Sequence, residues 1–276
     1  MANERPEPAA GAARHDGWKA GDSYEAYMGR WSRQVAPRFL DWLGVPPGRD
    51  WLDVGCGTGA LSAAVVAQCQ PRSLMSIDPS EAFIETARAR LPDAPAAFRV
   101  GDAQALPVED GSRDVIVSAL VLNFVPDRAK ALAEMRRVAR TGGTIGFYLW
   151  DYPGGGVEFI RAFWGAAVAL DPAAAELSED RRFPFCTPHD LARLASGAGL
   201  RGIEITSIEV PTVFQGFDDF WQPFTSGTGP APGYCMALPQ EARQRLREKL
   251  RERLAPDTGS SISLSARAWA LKAVAP

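Results

Sequence analysis

Short apolar runs alternate with stretches of helical periodicity through the first half of the chain. The runs at 51–54, 74–77, 97–100, 114–120 and 144–150 have the length of strands, and several of the segments between them repeat apolar residues every three or four positions. This alternation is typical of βαβ units and predicts a parallel sheet. The fourth and fifth runs are almost continuously apolar, as expected of strands buried on both faces.

Three helices are predicted between these strands. The first begins at Ala60, directly after a glycine cluster. The second ends at Pro92, because proline cannot continue a helix. The third has Ala139 on its apolar face and is predicted to end at the Gly142-Gly143 pair.

The second half of the chain is less regular. A helix is predicted over 155–170, and another starts at Thr187, whose hydroxyl suits the N-cap position before Pro188. Alternating apolar residues predict a strand over 201–210, and the segment 264–273 is predicted to be the last strand.

Two stretches at about 151–187 and 211–262 exceed what a sheet core needs, and we interpret them as lid insertions that carry substrate specificity. The second contains an amphipathic charged helix at 240–254 and five aromatic residues: Phe214, Phe217, Phe220, Trp221 and Phe224. The aromatic residues fit either a core beneath a long loop or the walls of an apolar substrate pocket. The predicted fold is α/β: one Rossmann-like, doubly wound, mainly parallel seven-stranded sheet over 18–276, with an antiparallel last strand and two lid insertions.

Composition narrows the classes of function. The chain has 276 residues and a formal net charge of −3, which argues against a nucleic-acid binder. Four cysteines without a CxxC pair and only two histidines argue against a metal site and suit a reducing cytoplasm. No segment has the roughly 20 apolar residues of a membrane span, so no membrane partner is expected. Residues 1–17 are predicted to be a disordered tail.

Three acidic residues fall at the ends of three successive strands. Asp53 stands two residues before a loop rich in glycine, which permits a tight turn and close approach of a ligand to the backbone. A carboxylate there repels a pyrophosphate and attracts an ammonium group. Asp78 at the end of the second strand suits the two hydroxyls of a ribose, and Asp102 after the third suits an adenine amino group. Together these positions predict a site for an aminoacyl nucleoside.

These motifs resemble the class I S-adenosylmethionine-dependent methyltransferases, and above all the small-molecule group that includes the ubiquinone/menaquinone and trans-aconitate methyltransferases. The resemblance rests on five motifs in order within about 24–150: the segments beginning at Asp53, Asp78, Gly101, Asp110 and Thr141. It implies that the cofactor is S-adenosyl-L-methionine, that the product is S-adenosyl-L-homocysteine, and that the partner is a small-molecule substrate of a monomer or homodimer.

The resemblance also implies roles for individual residues. Gly55, Gly57 and Gly59 hold the methionine moiety, Asp78 holds the ribose, and Asp102 with Ala103 reads the adenine. Other positions of the same motifs are implied to line the cofactor site: Cys56, Thr58, Pro79, Ser80, Gln104, Ser118, Ala119 and Asn123.

The segment 24–33 resembles the N-terminal helix that closes over the cofactor in this family. Tyr24, Tyr27 and Trp31 are candidate walls of the site. Arg33 is the candidate partner of the methionine carboxylate through a charge-assisted hydrogen bond.

Methyl transfer from a sulfonium needs little acid–base chemistry, so no catalytic group is firmly identified. Asp151, Tyr152 and His189 are the candidates, although His189 is more simply an exposed residue in the first turn of a helix. The expected activity is methylation of a small apolar or aromatic metabolite by in-line displacement. Two alternatives stay open: a non-catalytic protein that binds the cofactor, and an NAD(P)-dependent oxidoreductase that uses the same glycine motif.

Overall fold

A computed structural model describes residues 25–92, 95–227, 229–254 and 261–276. Seven strands form one sheet in the order β3-β2-β1-β4-β5-β7-β6. The strands are β1 (Asp50–Val54), β2 (Ser73–Asp78), β3 (Ala96–Val100), β4 (Arg113–Ala119), β5 (Ala139–Trp150), β6 (Arg201–Phe214) and β7 (Ile262–Val274). Strands β1 to β5 are parallel, and β7 runs antiparallel to both β5 and β6. The predicted doubly wound seven-stranded sheet with an antiparallel last strand is confirmed.

The strand order reverses between β1 and β4, which places a ligand crevice at their carboxyl ends. A π-helical turn (Glu25–Gly29) leads into α1 (Arg30–Leu43), and α2 (Ala60–Cys69), α3 (Glu81–Arg90) and α4 (Arg128–Val138) connect the parallel strands. Side chains cap two of these helices at their N-termini: the Ser80 hydroxyl accepts the N–H of Phe83, and the Asp127 carboxylate accepts the N–H of Lys130.

The prediction that α4 continues to the glycine pair is wrong. The helix ends at Val138, and Ala139 is already the first residue of β5. Strand pairing overrides the helical pattern here, because Arg140 reaches across the sheet to Asp50 and Asp114. The Gly142-Gly143 pair lies inside β5, where the register with β4 shifts, and a side chain at Gly143 would collide with the Arg140 carbonyl at 2.8 Å.

Helices after β5 build the two additional segments. The first contains α5 (Glu158–Leu170), a 3-10 turn (Pro172–Leu177) and the short α6 (Glu179–Arg182), and α7 (Pro188–Gly197) follows it before β6. The second contains α8 (Phe217–Trp221), a 3-10 turn (Gln222–Thr225), α9 (Pro230–Ala237) and α10 (Gln240–Leu254). The predicted starts and ends shift slightly: α5 begins at 158 rather than 155, and β6 extends to 214 rather than 210. The predicted tail lies outside the described residues.

The five aromatic residues of the second segment form core. All of them are buried, and Phe224 stacks on Phe163 of α5 with ring centroids 4.5 Å apart. The two segments therefore pack against each other, and the first of the two interpretations of these aromatics is confirmed. Among the described residues, no helix has the length and apolarity to cross a membrane.

Candidate cofactor site

The loop between β1 and α2 turns its backbone toward open space. Gly55, Gly57 and Gly59 all have positive φ, at +75°, +53° and +89°. A Cβ at Gly55 would lie 2.5 Å from a methyl group of Val121, and one at Gly59 would lie 3.2 Å from the Ala87 Cβ. A Cβ at Gly57 would meet nothing within 4 Å. The loop is thus packed at its two ends and free at its centre, where a ligand can approach the backbone.

Asp53 is a buried acceptor with spare capacity. Its side chain is fully buried, and Oδ2 accepts the Ser62 hydroxyl at 2.6 Å. Oδ1 has no hydrogen-bond partner among the described residues. Burial raises the pKa of this carboxyl to about 7, the hydrogen bond from Ser62 opposes the shift, and the nearby Asp78 adds to it. A buried polar atom without a partner is unusual in a native fold and points to a bound donor.

Asp78 at the end of β2 holds the glycine loop. Its Oδ2 accepts the Gly57 N–H at 2.9 Å, and its Oδ1 accepts the Ser80 N–H at 2.9 Å. The side chain is buried, which raises its pKa, while the two backbone N–H groups oppose the shift. Pro79 beside it is exposed.

The end of β4 and the turn after it carry two more buried polar atoms without partners among the described residues, the Ser118 hydroxyl in the strand and the Asn123 amide nitrogen in the turn. Between them, Leu120 has φ +60°, a left-handed conformation that is strained for leucine. The Arg128 guanidinium donates to the carbonyls of Leu122 and Asn123 and so holds this turn. Ala119, the last residue of β4, is half-buried.

After β3, Asp102 caps its own turn. It is exposed, and its Oδ1 accepts the Gln104 N–H at 2.8 Å. The Gln104 side chain in turn accepts the Asp127 N–H at 3.0 Å, and Ala103 is buried. The adenine contact implied for Asp102 and Ala103 stays a prediction.

The remaining loop residues are structural in this conformation. Thr58 is buried, and so is Cys56, whose thiol pKa is raised well above its ordinary value by burial and then by Asp53 and Asp78. The Cys56 thiol is therefore protonated at neutral pH, and its side chain packs as a small buried group.

The N-terminal residues divide into three groups. Tyr24 lies outside the described residues. Tyr27 and Trp31 are buried against the additional segments: Tyr27 meets Phe159 and Phe224 edge-on, and Trp31 meets Phe214. Arg33 is exposed on α1, so its contact with a carboxylate stays a prediction.

The sequence reasoning missed a link between α1 and the second segment. Arg30 donates to both carboxylate oxygens of Asp219 at 2.8 and 3.1 Å. Two residues separated by 189 positions leave no local signal of such a pair.

Two of the three candidate catalytic groups are poorly placed for proton transfer. Both oxygens of Asp151 are engaged: Oδ2 accepts two bonds from Arg267 at 2.8 and 2.6 Å, and Oδ1 accepts the Gly154 N–H at 2.9 Å. His189 is exposed in the first turn of α7. Tyr152 is buried, with its ring 5.5 Å from that of Phe183.

Glu179 is a buried carboxyl that no motif or spacing in the sequence singles out. It is 2% exposed and accepts the indole N–H of Trp164. Burial raises its pKa to about 7, and the Trp164 hydrogen bond opposes the shift. The run of charged residues at 179–182 is typical of a solvated helix face, so only the packing reveals this carboxyl.

The raised pKa of Asp53 makes stability depend on pH. A carboxyl whose folded-state pKa lies above its unfolded value stabilises the fold at low pH, and that contribution is lost as the pH rises from about 4 to about 7. Between pH 5 and pH 8, we expect Asp53→Asn to gain on the order of 2 kcal/mol in unfolding free energy relative to the wild type. Urea unfolding of the two ligand-free proteins across this range measures the difference, and parallel curves would contradict the buried ionisable carboxyl.

Comparison with known proteins finds methyltransferases among the proteins similar to this chain. Residues 52–147 match the family model described as "Methyltransferase domain". A malonyl-[acyl-carrier protein] O-methyltransferase of Geobacter sulfurreducens is 30% identical over 197 residues, which cover 70% of each chain. An uncharacterized protein of a Streptomyces fradiae transposon is 42% identical over 141 residues, which cover 48% of this chain and 40% of that protein. The match to a Serratia marcescens malonyl-[acyl-carrier protein] O-methyltransferase likewise covers only 49% of its length.

Solved structures share the fold at low sequence identity. Haemonchus contortus phosphoethanolamine N-methyltransferase 2, in complex with S-adenosyl-L-methionine, aligns with TM-score 0.59 at 17% identity over 93% of this chain and 56% of that one. Geranyl diphosphate methyltransferase with its bound cofactor aligns with TM-score 0.53 at 18% identity over 97% and 95%.

The sheet order is that of a class I methyltransferase fold, and the glycine loop with the strand-end carboxylates is its candidate cofactor site. The chain belongs to the S-adenosylmethionine-dependent methyltransferase family, and its cofactor is S-adenosyl-L-methionine. Membership of this family favours the methyltransferase interpretation of the glycine motif over the oxidoreductase alternative.

Proposed function

We propose that this protein transfers the methyl group of S-adenosyl-L-methionine to a small apolar or aromatic metabolite by in-line displacement. The observation that carries the proposal is the set of unsatisfied groups at the carboxyl ends of neighbouring strands. Gly57, with its open face, and Asp53, with its unpartnered Oδ1, both belong to the carboxyl end of β1 and the loop after it, beside the point where the strand order reverses.

The cofactor's chemistry matches these groups one by one. Asp53 Oδ1 accepts from the ammonium of the methionine moiety, directly or through water, and gains a cation that stabilises its buried charge. Asp78 accepts hydrogen bonds from the ribose hydroxyls. Its Oδ2 gives up the hydrogen bond from the Gly57 N–H when the ribose binds. The Gly57 N–H, at the open centre of the glycine loop, is then free to donate to the ligand and completes the cradle.

Positioning supplies the catalysis in this proposal. The cofactor provides a methyl group already activated by its sulfonium, so the protein has to hold the nucleophile in line at about 3 Å and to exclude water. The segment 118–123 comprises the end of β4, the neighbour of β1, and the turn after it, and its buried Ser118 and Asn123 groups are the candidate contacts beside the reacting atoms.

A second candidate acceptor comes from the relatives. Three relatives are named malonyl-[acyl-carrier protein] O-methyltransferases, those of Geobacter sulfurreducens, Serratia marcescens and Methylococcus capsulatus. By analogy, the acceptor is the free carboxylate of an acyl chain on a carrier protein. The two candidates differ in size and charge, and an experiment separates them.

The test compares both acceptors with cofactor carrying a radioactive methyl group. We expect label to enter small organic-soluble compounds when the protein is incubated with a metabolite extract, and heat-treated protein to give no label. Label on malonyl-[acyl-carrier protein] alone would select the second candidate. Cofactor binding without transfer to either acceptor would contradict catalysis and favour the non-catalytic alternative.

A further inference from the structure

A cavity of about 400 Å³ lies in the first additional segment, directly after β5. Its walls come from the loop after β5 with Tyr152, from α5 with Ile160, Trp164 and Val168, from Ala175 of the 3-10 turn and from the segment 178–181. Its volume lies within the range of pockets that enclose small organic ligands. Glu179 lines the same cavity and is its fully buried carboxyl.

Aromatic contacts connect this cavity to the strand ends where the cofactor is proposed to bind. The Phe183 ring lies 5.5 Å from Tyr152 and 5.3 Å from Phe124, which follows Asn123 in the turn after β4. On another side, burial raises the pKa of the Tyr27 hydroxyl, and the charges of Glu179 and then Tyr152 raise it further. The cavity, the β4 turn and the N-terminal helix therefore adjoin one another.

Glu179 is the ionisable group that a ligand meets in the buried part of the cavity. The two arginines of the lining are paired at the surface, Arg161 with Glu158 at 3.1 Å and Arg181 with Glu176 at 3.7 Å. The indole N–H of Trp164 donates to one oxygen of Glu179. The Tyr27 hydroxyl is buried nearby without a hydrogen-bond partner among the described residues.

We propose that this cavity binds the methyl acceptor and that the acceptor is a neutral aromatic compound whose hydroxyl donates a hydrogen bond to Glu179. The inference rests on the proposed methyl transfer and deepens it by naming the acceptor's chemical class. Above pH 7 the Glu179 carboxyl is ionised and repels a carboxylate ligand, and an ammonium ligand loses more hydration than a hydroxyl on entering apolar walls. The flat faces of Trp164 and Tyr152 suit an aromatic body.

Three probes that share a naphthalene ring and differ in their polar group test the preference for a hydroxyl: 2-naphthol, 2-naphthoate and naphthalen-2-ylmethylamine. Saturation-transfer NMR titrations on the full chain with S-adenosylhomocysteine give the dissociation constants. We expect 2-naphthol to bind at least fivefold more tightly than either charged probe. Equal or tighter binding of a charged probe, or binding of none of the three, would overturn the proposal.

Two variant pairs locate the probe. Ala175→Phe fills the cavity and is expected to weaken 2-naphthol binding at least tenfold, whereas Ala173→Phe, an exposed position on the same 3-10 turn, leaves it unchanged. Glu179→Gln keeps an acceptor for Trp164 and is expected to reduce the preference for 2-naphthol over 2-naphthoate at least fivefold. Its control, Glu109→Gln, is exposed before β4, lies outside the cavity lining and leaves that preference intact.

The affinity for S-adenosylhomocysteine, measured on the same samples, distinguishes failure of the proposed acceptor site from failure of the proposed methyl transfer. Normal affinity with 2-naphthol binding that is insensitive to Ala175→Phe and Glu179→Gln would overturn the acceptor site alone. Absent S-adenosylhomocysteine binding in the wild type would overturn the proposed function itself.

Discussion

A single methyl group added at Gly57 is expected to remove most of the affinity for S-adenosylhomocysteine. The substituent meets no protein atom within 4 Å, so it occupies space that only a ligand fills. We expect Gly57→Ala to weaken binding about 100-fold, near the upper end of the cost of forcing a methyl group into a packed contact. The same change strains the backbone at φ +53° and is expected to lower the unfolding free energy by about 1–2 kcal/mol.

Gly111→Ala is the matched control for this prediction. Gly111 has φ +57°, also faces open space, and precedes β4 at the opposite edge of the sheet. Its substitution carries the same backbone cost and is expected to leave the affinity within twofold of the wild type. If calorimetry gave the two variants equal affinities, the cofactor would not lie against the glycine loop.

Loss of the Asp78 carboxylate is the second large effect that we expect. Removing a charged hydrogen-bond partner costs about 1–3 kcal/mol, so Asp78→Ala should weaken S-adenosylhomocysteine binding roughly 5- to 150-fold. Part of this loss comes from the loop, because Asp78 also accepts the N–H groups of Gly57 and Ser80.

Asp78→Asn separates the two contributions. An asparagine keeps an oxygen that accepts from the backbone, but it lacks the second acceptor and the charge that suit two ribose hydroxyls. We expect the thermal midpoint of Asp78→Asn to lie closer to the wild-type midpoint than the midpoint of Asp78→Ala does. We expect its affinity for S-adenosylhomocysteine to lie between the affinities of the wild type and Asp78→Ala. An Asp78→Ala protein that folds normally and binds within twofold of the wild type would contradict the ribose role.

The sequence was most informative where function depends on local order along the chain. Asp53, the glycine loop and Asp78 follow from two strands and one turn, so their signal is contained in fewer than 30 residues. The sheet could be predicted for a similar reason, because each parallel strand is a short apolar run. The end of α4 could not, since pairing of Arg140 with Asp50 across 90 positions outweighs local helical periodicity.

Roles decided by distant packing were beyond the reach of the pattern. Asp151 follows β5 at a favourable place, yet Arg267, 116 positions away, engages its carboxylate. Glu179 stands in a run of charges and becomes buried only because α5 brings Trp164 against it. The aromatic residues of the second segment are core because α5 and α1 cover them. Each of these outcomes depends on a contact that only the folded chain contains.

Isothermal titration calorimetry of the wild-type protein with S-adenosylhomocysteine tests the central claim most directly. We expect one site per chain with a dissociation constant in the micromolar range, about 8 kcal/mol of binding free energy. Absence of detectable binding would contradict the assignment of the strand-end carboxylates and the glycine loop to this cofactor.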